Sequence, residues 1–269
     1  MRKNERSAKI KEATRHAEPK MNSPQPPLRK MQPNDGEHVH LDKDPRPARL
    51  HPVFIPDDAA MQASADRHLF PTEYSGHLDK VMIENTKIMN RCKEVAKLIN
   101  EDYRNERPVF VCVLKGASAF FHHLTSELMN LKQGFSYEFL RASSYSGART
   151  DTTGNVKVSS EEFDFSALEG RHVIIVEDIV DTGTTLAKLI PIIKEHGKPT
   201  SVEVCTLLEK RIDHERRRSE VLLKKAKYAG FSIPNKFILG FGLDYNELYR
   251  DLKDIWVISK AGIEFDGKL

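Results

Sequence analysis

Short apolar runs alternate with longer amphipathic stretches beyond residue 68, and this alternation limits the possible folds more than any other feature of the sequence. The runs are typical of strands buried on both faces; they are Val109–Leu114, Tyr137–Leu140, His172–Val176, Val202–Leu208, Lys236–Leu239 and Ile255–Ser259. The amphipathic stretches have helical spacing over Val81–Tyr103, Ala117–Leu131 and a segment that ends near His196. Helices that alternate with buried strands predict an α/β fold with a parallel sheet flanked by helices.

The first quarter of the chain has a different composition. Nine of the 14 prolines precede Asp57, and no apolar periodicity is sustained there. Proline interrupts helices and lacks a backbone donor, so such a segment is poorly suited to forming a packed core of its own. We therefore predict a flexible N-terminal extension over residues 1–67 and a folded domain over residues 68–269. Removal of residues 1–65 should then leave any catalytic activity intact.

Charge and cysteine content argue against several classes of protein. The first 70 residues carry 13 Lys and Arg against 10 Asp and Glu, which accounts for the whole net charge of +3. The folded part is thus neutral, and its basic stretch Arg211–Lys227 is more consistent with a solvated loop than with a nucleic-acid surface. Three widely spaced cysteines indicate a reducing compartment, and no apolar run is long enough to span a membrane. We expect a cytoplasmic protein without nucleic-acid or membrane partners.

One segment, Val173–Thr185, joins a buried strand to a group of polar side chains. The strand leads to two adjacent carboxylates, Glu177 and Asp178, and ligands of open α/β sheets bind beyond the carboxyl ends of the strands. Two carboxylates can accept hydrogen bonds from two sugar hydroxyls at once.

The turn that follows is suited to an anion. It offers backbone amides, the positive end of a helix dipole, a glycine that permits close approach, and three hydroxyls; these residues are Thr182, Gly183, Thr184 and Thr185. The alternative is an ordinary strand-to-helix connection with acidic capping residues. A ribose 5-phosphate would use all of the polar groups, with its phosphate on the amides and its hydroxyls on the acids.

The same segment resembles the phosphoribosyl-pyrophosphate motif of the type I phosphoribosyltransferases, and other blocks resemble the members that act on 6-oxopurines. The blocks are Val111–Gly116, Ser144–Tyr145 with Thr153–Val158, Leu207–Arg211, and Lys236–Gly240 continuing through Leu243–Glu247 to Arg250–Leu252. The resemblance covers the chain from about Phe70 to the C-terminus. It implies the type I phosphoribosyltransferase fold, in which a parallel sheet flanked by helices carries a small hood formed from N- and C-terminal segments.

The resemblance also implies how a purine base would be held. Asp181 would act as the general base that removes the proton from N7, and Lys210 would donate to the exocyclic O6. Phe237 would stack on the ring, and Ile238 would contact its edge through the backbone. A donor aimed at O6 favours hypoxanthine and guanine over adenine.

For the sugar and pyrophosphate, the resemblance assigns Glu177, Asp178 and the turn Thr182–Thr185 to ribose 5-phosphate. It assigns pyrophosphate to Arg250 and to the loop Leu114-Lys115-Gly116, with a non-proline cis peptide at Leu114–Lys115. Magnesium would be bound through Asp244, with Glu177 and Asp178 near it.

A polar stretch that contains Ser144 and Tyr145 is long for a connection between strands, and we predict a lid that closes over the reacting centre. The lid is longer than usual in the family, and Thr184 stands where a lysine is common. These departures affect lid kinetics and remove one cation beside the phosphate, but the base and the metal ligand are retained.

These features predict a purine salvage enzyme that converts hypoxanthine or guanine and phosphoribosyl pyrophosphate to IMP or GMP and pyrophosphate, with Mg²⁺ as cofactor. Family members assemble as dimers or tetramers, so we expect a homodimer or homotetramer. Three alternatives remain open: a transferase that prefers xanthine, a non-catalytic protein that binds or senses nucleotides, and an interaction protein whose basic N-terminal extension recruits acidic partners or membranes. A sensor has no use for a general base, so Asp181 argues against the second.

Overall fold

The computed structural model describes residues 44, 46–57, 69–144, 156–158, 163–212 and 226–265. The chain divides into two units between Lys43 and Asp44, and all of the described residues belong to the second. The lid and the basic stretch of the sequence analysis lie mostly outside the described residues. Residues 1–43 of the predicted extension lie wholly outside the described residues.

Within these residues the chain forms ten strands and four α-helices. The strands are β1 (Val53–Phe54), β2 (Leu78–Ile83), β3 (Val109–Leu114), β4 (Ser136–Ser144), β5 (Val156–Val158), β6 (His172–Val180), β7 (Ser201–Lys210), β8 (Tyr228–Ile233), β9 (Ile238–Leu239) and β10 (Ile255–Ile258). The helices are α1 (Asn85–Asp102), α2 (Ser118–Asn130), α3 (Thr184–Gly197) and α4 (Lys260–Glu264).

Seven strands form one sheet in the order β1-β8-β7-β6-β3-β4-β5. The first six in this order run parallel, and β5 is antiparallel to β4 at the edge. Strand β3 is buried up to Val113 and β6 is buried over residues 173–177, which explains why these stretches lack polar alternation. The predicted parallel α/β sheet is confirmed.

The two faces of the sheet are covered by separate apolar clusters. Helices α1 and α2 pack on one face, where Ile88, Phe120 and Leu124 are buried beside Phe110. Helix α3 covers the other face through its buried residues Leu186, Leu189 and Ile193. Pro191 lies inside α3 and is exposed. The helix accommodates this proline and still spans fourteen residues.

A second, smaller antiparallel sheet has the order β2-β10-β9. It joins a segment from the start of the folded unit to two segments near its end, as predicted for the hood. Its own apolar cluster is built around Trp256, Tyr249 and Tyr74.

The structure corrects three element predictions. Val81–Ile83 belong to β2, because they pair with β10, and α1 begins only at Asn85. Strand β8 was not predicted, since Gly230 and Ser232 interrupt its apolar run. Strand β6 continues past Val176 to Val180, so Glu177 and Asp178 lie within the strand near its end. In the described part of the chain, no helix has both the length and the hydropathy needed to cross a membrane.

Candidate active site

The candidate site lies where the strand order of the large sheet reverses. From β3 the chain moves outward to β4 and β5, whereas from β6 it moves the opposite way to β7 and β8. Connections therefore leave β3 and β6 on opposite sides, and a crevice opens at the carboxyl ends of these two neighbouring strands. Crevices of this kind are where open α/β sheets bind ligands.

Glu177 and Asp178 face this crevice from the end of β6. Glu177 is 6% exposed, and its Oε1 has no hydrogen-bond partner among the described atoms. Burial and the neighbouring Asp178 raise the pKa of Glu177 well above its ordinary value. Burial likewise raises the pKa of Asp178 to about 6, although its Oδ1 accepts a hydrogen bond from the Ile179 amide at 2.7 Å. Glu177 thus has one carboxylate oxygen without a donor, whereas the Ile179 amide and the Arg250 cation offset only part of the effect of burial on Asp178.

The turn after β6 ends in a backbone conformation that only glycine adopts without strain. Gly183 has φ of 73° in the left-handed region and caps the start of α3, where its carbonyl accepts from the Ala187 amide at 3.0 Å. The hydroxyls of Thr182 and Thr184 lie 2.9 Å apart across the turn. Because the first amides of a helix have no partner within the helix, this turn presents donors and hydroxyls together.

Asp181, which follows β6, forms an ion pair with Lys210 of the neighbouring strand β7. Lys210, the last residue of β7, places its Nζ 2.8 Å from Oδ2 of Asp181. The lysine side chain is only 11% exposed, whereas that of Asp181 is 46% exposed. Asp181 can therefore be reached from solvent, while the stem of Lys210 is held in place by its surroundings.

The loop after β3 closes the other side of the crevice. The Leu114–Lys115 peptide bond has the cis geometry that the resemblance implies. A side chain at Gly116 would collide with the Asp178 carboxylate, so only glycine lets the loop lie against the end of β6. Similarly, Gly242 packs closely on the Gly116 carbonyl, which brings the loop before Asp244 into the same site.

Two cations of the site share one carboxylate. Lys115 Nζ lies 2.5 Å from Oε2 of Glu247, and Arg250 lies 3.1 Å from Oε1 of the same side chain. Arg250 also pairs with Asp244 at 2.8 Å, and its buried Nε has no hydrogen-bond partner among the described atoms. Lys115 and Glu247 are more than half exposed, so this contact is open to exchange with an anionic ligand.

The site residues fit a metal ion that takes part of its coordination from a substrate. Among the described residues, no three His, Cys, Asp or Glu side chains form a group that could hold a metal by themselves. Asp244 nevertheless lies close enough to raise the pKa of Asp178 further, after the larger effect of burial. Mg²⁺ usually binds one or two carboxylates together with substrate oxygens and water, and these carboxylates could supply that share.

Phe237 and Ile238 lie at the hood side of the site. The ring of Phe237 is 49% exposed and meets the ring of Tyr245 edge-on, with centroids 5.3 Å apart. The Phe237 carbonyl accepts from the Ile258 amide at 3.1 Å, which ties this segment to β10. Phe237 is thus accessible enough for a flat ligand to reach its ring.

Comparison with known proteins identifies the family. The model of the phosphoribosyl transferase domain matches residues 82–246, which is more than half of the chain and spans β3, β6, β7 and their loops. The chain belongs to the phosphoribosyltransferase family.

Alignments with named relatives in this family cover most of this chain and most of each relative. The hypoxanthine-guanine phosphoribosyltransferase of Bos taurus is 37% identical over 223 residues, 80% of this chain and 96% of its own. The hypoxanthine-guanine-xanthine phosphoribosyltransferase of Plasmodium falciparum is 34% identical, over 78% of this chain and 90% of its own. A crystal structure of a hypoxanthine phosphoribosyltransferase from Staphylococcus aureus matches with a TM-score of 0.60 and 33% identity, covering 71% of this chain and 97% of that one.

Two of the residues expected at a phosphoribosyltransferase site cannot be placed. Ser144 ends β4, where it is in register with Val156 of β5, but its side chain is outside the described part. Tyr145 lies wholly outside the described residues. Their role in closing a lid stays a prediction.

Sequence reasoning missed Glu247 and Gly242. Glu247 stands three residues from both Asp244 and Arg250, a spacing at which an ion pair could have been considered. Gly242 gives no comparable signal in the sequence, because the Gly116 carbonyl that it contacts belongs to a residue far away along the chain.

Proposed function

We propose that the protein transfers the phosphoribosyl group of phosphoribosyl pyrophosphate to N9 of hypoxanthine or guanine, giving IMP or GMP and pyrophosphate. The family and the names of the relatives support this purine salvage activity. The single observation that carries it is the pair of Asp181 and Lys210, 2.8 Å apart beside the buried acids of β6. A carboxylate and an ammonium at that spacing match two neighbouring positions of a 6-oxopurine, the N7 proton and the O6 acceptor.

The ribose 5-phosphate is bound at the end of β6 and the start of α3. Glu177 and Asp178 accept hydrogen bonds from the ribose hydroxyls, which supplies a donor for the unpartnered Oε1 of Glu177. The phosphate is bound by the amides and hydroxyls of the turn Thr182–Thr185. The same acids stabilise the positive charge that develops on the ribose as the bond to pyrophosphate breaks.

The base is bound between the hood and the end of β7. Phe237 stacks on the ring, the backbone of Ile238 contacts its edge, and Lys210 donates to O6. Asp181 accepts the N7 proton as N9 attacks C1 of the ribose. Its exposed position in the structure suits a group that must exchange this proton with solvent afterwards.

Pyrophosphate is bound by Lys115, the Gly116 amide and Arg250. In the structure both cations are paired with Glu247, which therefore holds the place of the anion until the substrate binds. Charge-assisted hydrogen bonds to pyrophosphate hold it as a leaving group. Ser144 and Tyr145 close over the site and exclude water during transfer.

Magnesium would be bound by Asp244, with Glu177 and Asp178 near it, and by oxygens of the substrate. When bound, it neutralises negative charge on pyrophosphate and so makes it a better leaving group. We further propose that the protein acts in the cytoplasm as a homodimer or homotetramer, as the family resemblance implies.

The experiment that tests the function is steady-state turnover of the purified protein with phosphoribosyl pyrophosphate, magnesium and each of four bases. Hypoxanthine and guanine should be the best substrates, and adenine as the best would overturn the role of Lys210. Asp181→Asn should lower kcat by about 10² to 10⁴ with little change in affinity for phosphoribosyl pyrophosphate. An unchanged rate in that variant would refute the general-base role. Binding without turnover in the wild type would instead support a nucleotide sensor.

Xanthine is a second candidate base, because the Plasmodium falciparum relative is named for all three 6-oxopurines. The turnover assay with four bases distinguishes the two proposed specificities, since a xanthine-preferring enzyme would use hypoxanthine and guanine less well than xanthine.

A further inference from the structure

Residues 44 and 46–57, called the strap below, belong to the folded unit although their composition predicts an extension. Strand β1 of the strap pairs with β8 in parallel, and Leu50 is buried in the main core. The strap therefore completes one edge of the large sheet. It also reaches β7, two strands further in, through charged side chains.

The first of these contacts is a buried ion pair. Arg46 NH2 lies 2.9 Å from Oε2 of Glu209, and the two side chains are only 6% and 7% exposed. The same guanidinium donates to both oxygens of Asp44, at 2.9 and 2.5 Å, and to the Ala226 carbonyl at 2.9 Å. With these partners and Glu209 the planar guanidinium is held in one orientation.

The second contact involves Arg211, which is two positions after Glu209 in the chain. Arg211 donates to the Ile55 carbonyl of the strap at 2.6 Å and to the carboxylate of Asp57. Its guanidinium also lies over the ring of Phe54, 4.1 Å from the centroid. On the other side it donates to the Ser232 carbonyl of β8 at 2.8 Å.

Glu209 and Arg211 are the two chain neighbours of Lys210. Successive side chains of a strand point to opposite faces, so the strap holds β7 from the face away from the Lys210 ammonium. We propose that the strap is a positioning element for base recognition, in which Arg46 acts through Glu209 to fix the end of β7 and thus the Lys210 side chain. This inference rests on the proposed function, because it assigns Lys210 to the base.

The chain offers a matched control on the same strap. Arg49 pairs with Asp102 at the end of α1, at 2.6 Å, and so ties the strap to a helix and not to β7. Loss of Arg49 should loosen the strap without a direct effect on Lys210. Arg49 is 47% exposed and Arg46 only 6%, so a purely structural strap would be recognised by equal changes in the KM values of the two substrates when Arg46 is lost.

The test compares full-length Arg46→Met and Arg49→Met with the wild type, measuring KM for hypoxanthine and for phosphoribosyl pyrophosphate separately. Arg46→Met should raise KM for hypoxanthine about tenfold while KM for phosphoribosyl pyrophosphate stays within about twofold. Arg49→Met should leave both values within about twofold. Arg46→Lys, which keeps the charge but not the planar fork, should fall between them.

Removal of Arg46 alone leaves Glu209 buried without its partner, so a second variant guards against misfolding. Arg46→Met combined with Asp44→Asn and Glu209→Leu removes the charges of Arg46 and of both its carboxylate partners, and this triple variant should fold and show the same selective rise in KM for hypoxanthine. An unchanged KM for hypoxanthine in the triple variant, or an equal rise for both substrates, would overturn the positioning role. Failure of the wild type to use any 6-oxopurine would instead refute the proposed function itself.

Discussion

Asp178 shows how a binding site is built at the expense of the stability of the ligand-free protein. Its carboxylate lies against Gly116, and burial raises its pKa to about 6 from an ordinary value of 3.8. The folded state thus favours the protonated form more than the unfolded chain does. Its contribution to stability is fully present below about pH 4 and is lost as the pH rises through about 6.

The residue-scale prediction is therefore that Asp178→Asn stabilises the ligand-free protein at pH 8. A shift of this size corresponds to at most about 3 kcal/mol, at roughly 1.4 kcal/mol per pKa unit. For a folded unit of this size the thermal midpoint should rise by about 3 to 8 °C at pH 8, with the difference shrinking towards zero near pH 4. Thermal unfolding at the two pH values, with the exposed Asp79→Asn as control, measures this directly. A difference that does not depend on pH would contradict it.

At the level of single residues, the burial of β6 and β7 is visible in the sequence, and it predicts that polar residues near the ends of these strands lie close together. Asp181 and Lys210 do lie 2.8 Å apart, while the roles assigned to them and to the acids of β6 stay predictions. The pairing of Glu247 with Lys115 was not foreseen, since it joins residues 132 positions apart.

Among the elements, the strap departs most from what the sequence suggests. Its prolines and charges resemble those of the preceding residues, yet Leu50 is buried and Arg91 of α1 donates to the His51 carbonyl at 2.8 Å. That removal of residues 1–65 leaves catalysis intact stays a prediction, but these contacts indicate that loss of the strap would lower the stability of the folded unit. Long-range partners such as β8 decide whether a short polar segment is ordered, and local composition does not contain that information.

Two truncated chains, one with the strap and one without it, should differ in thermal stability. A chain that begins at residue 44 should unfold at the same temperature as the full chain, because the strap is retained. A chain that begins at residue 58 loses β1, the buried Leu50 and the partner of Glu209, so its midpoint should fall by about 5 to 15 °C. Differential scanning calorimetry of the two proteins distinguishes the outcomes. Equal midpoints would show that the strap does not contribute to the folded unit.

At the scale of the whole molecule, the parallel sheet determines where the chemistry is placed. The strand order reverses between β3 and β6, so the loops after these two strands meet in one crevice. The hood approaches through Gly242, which packs on Gly116. Alternation of helices and strands predicted the sheet, but the strand order came only from the structure, because periodicity does not specify which strands are neighbours.

The central claim is that a ribose 5-phosphate is bound where β6 ends and α3 begins. A crystal structure of the protein with GMP and magnesium tests it most directly. The 5'-phosphate should lie within about 3 Å of the amides and hydroxyls of Thr182–Thr185. The ribose hydroxyls should lie at similar distances from Glu177 and Asp178. A nucleotide bound elsewhere, with these two carboxylates out of contact with the sugar, would contradict it.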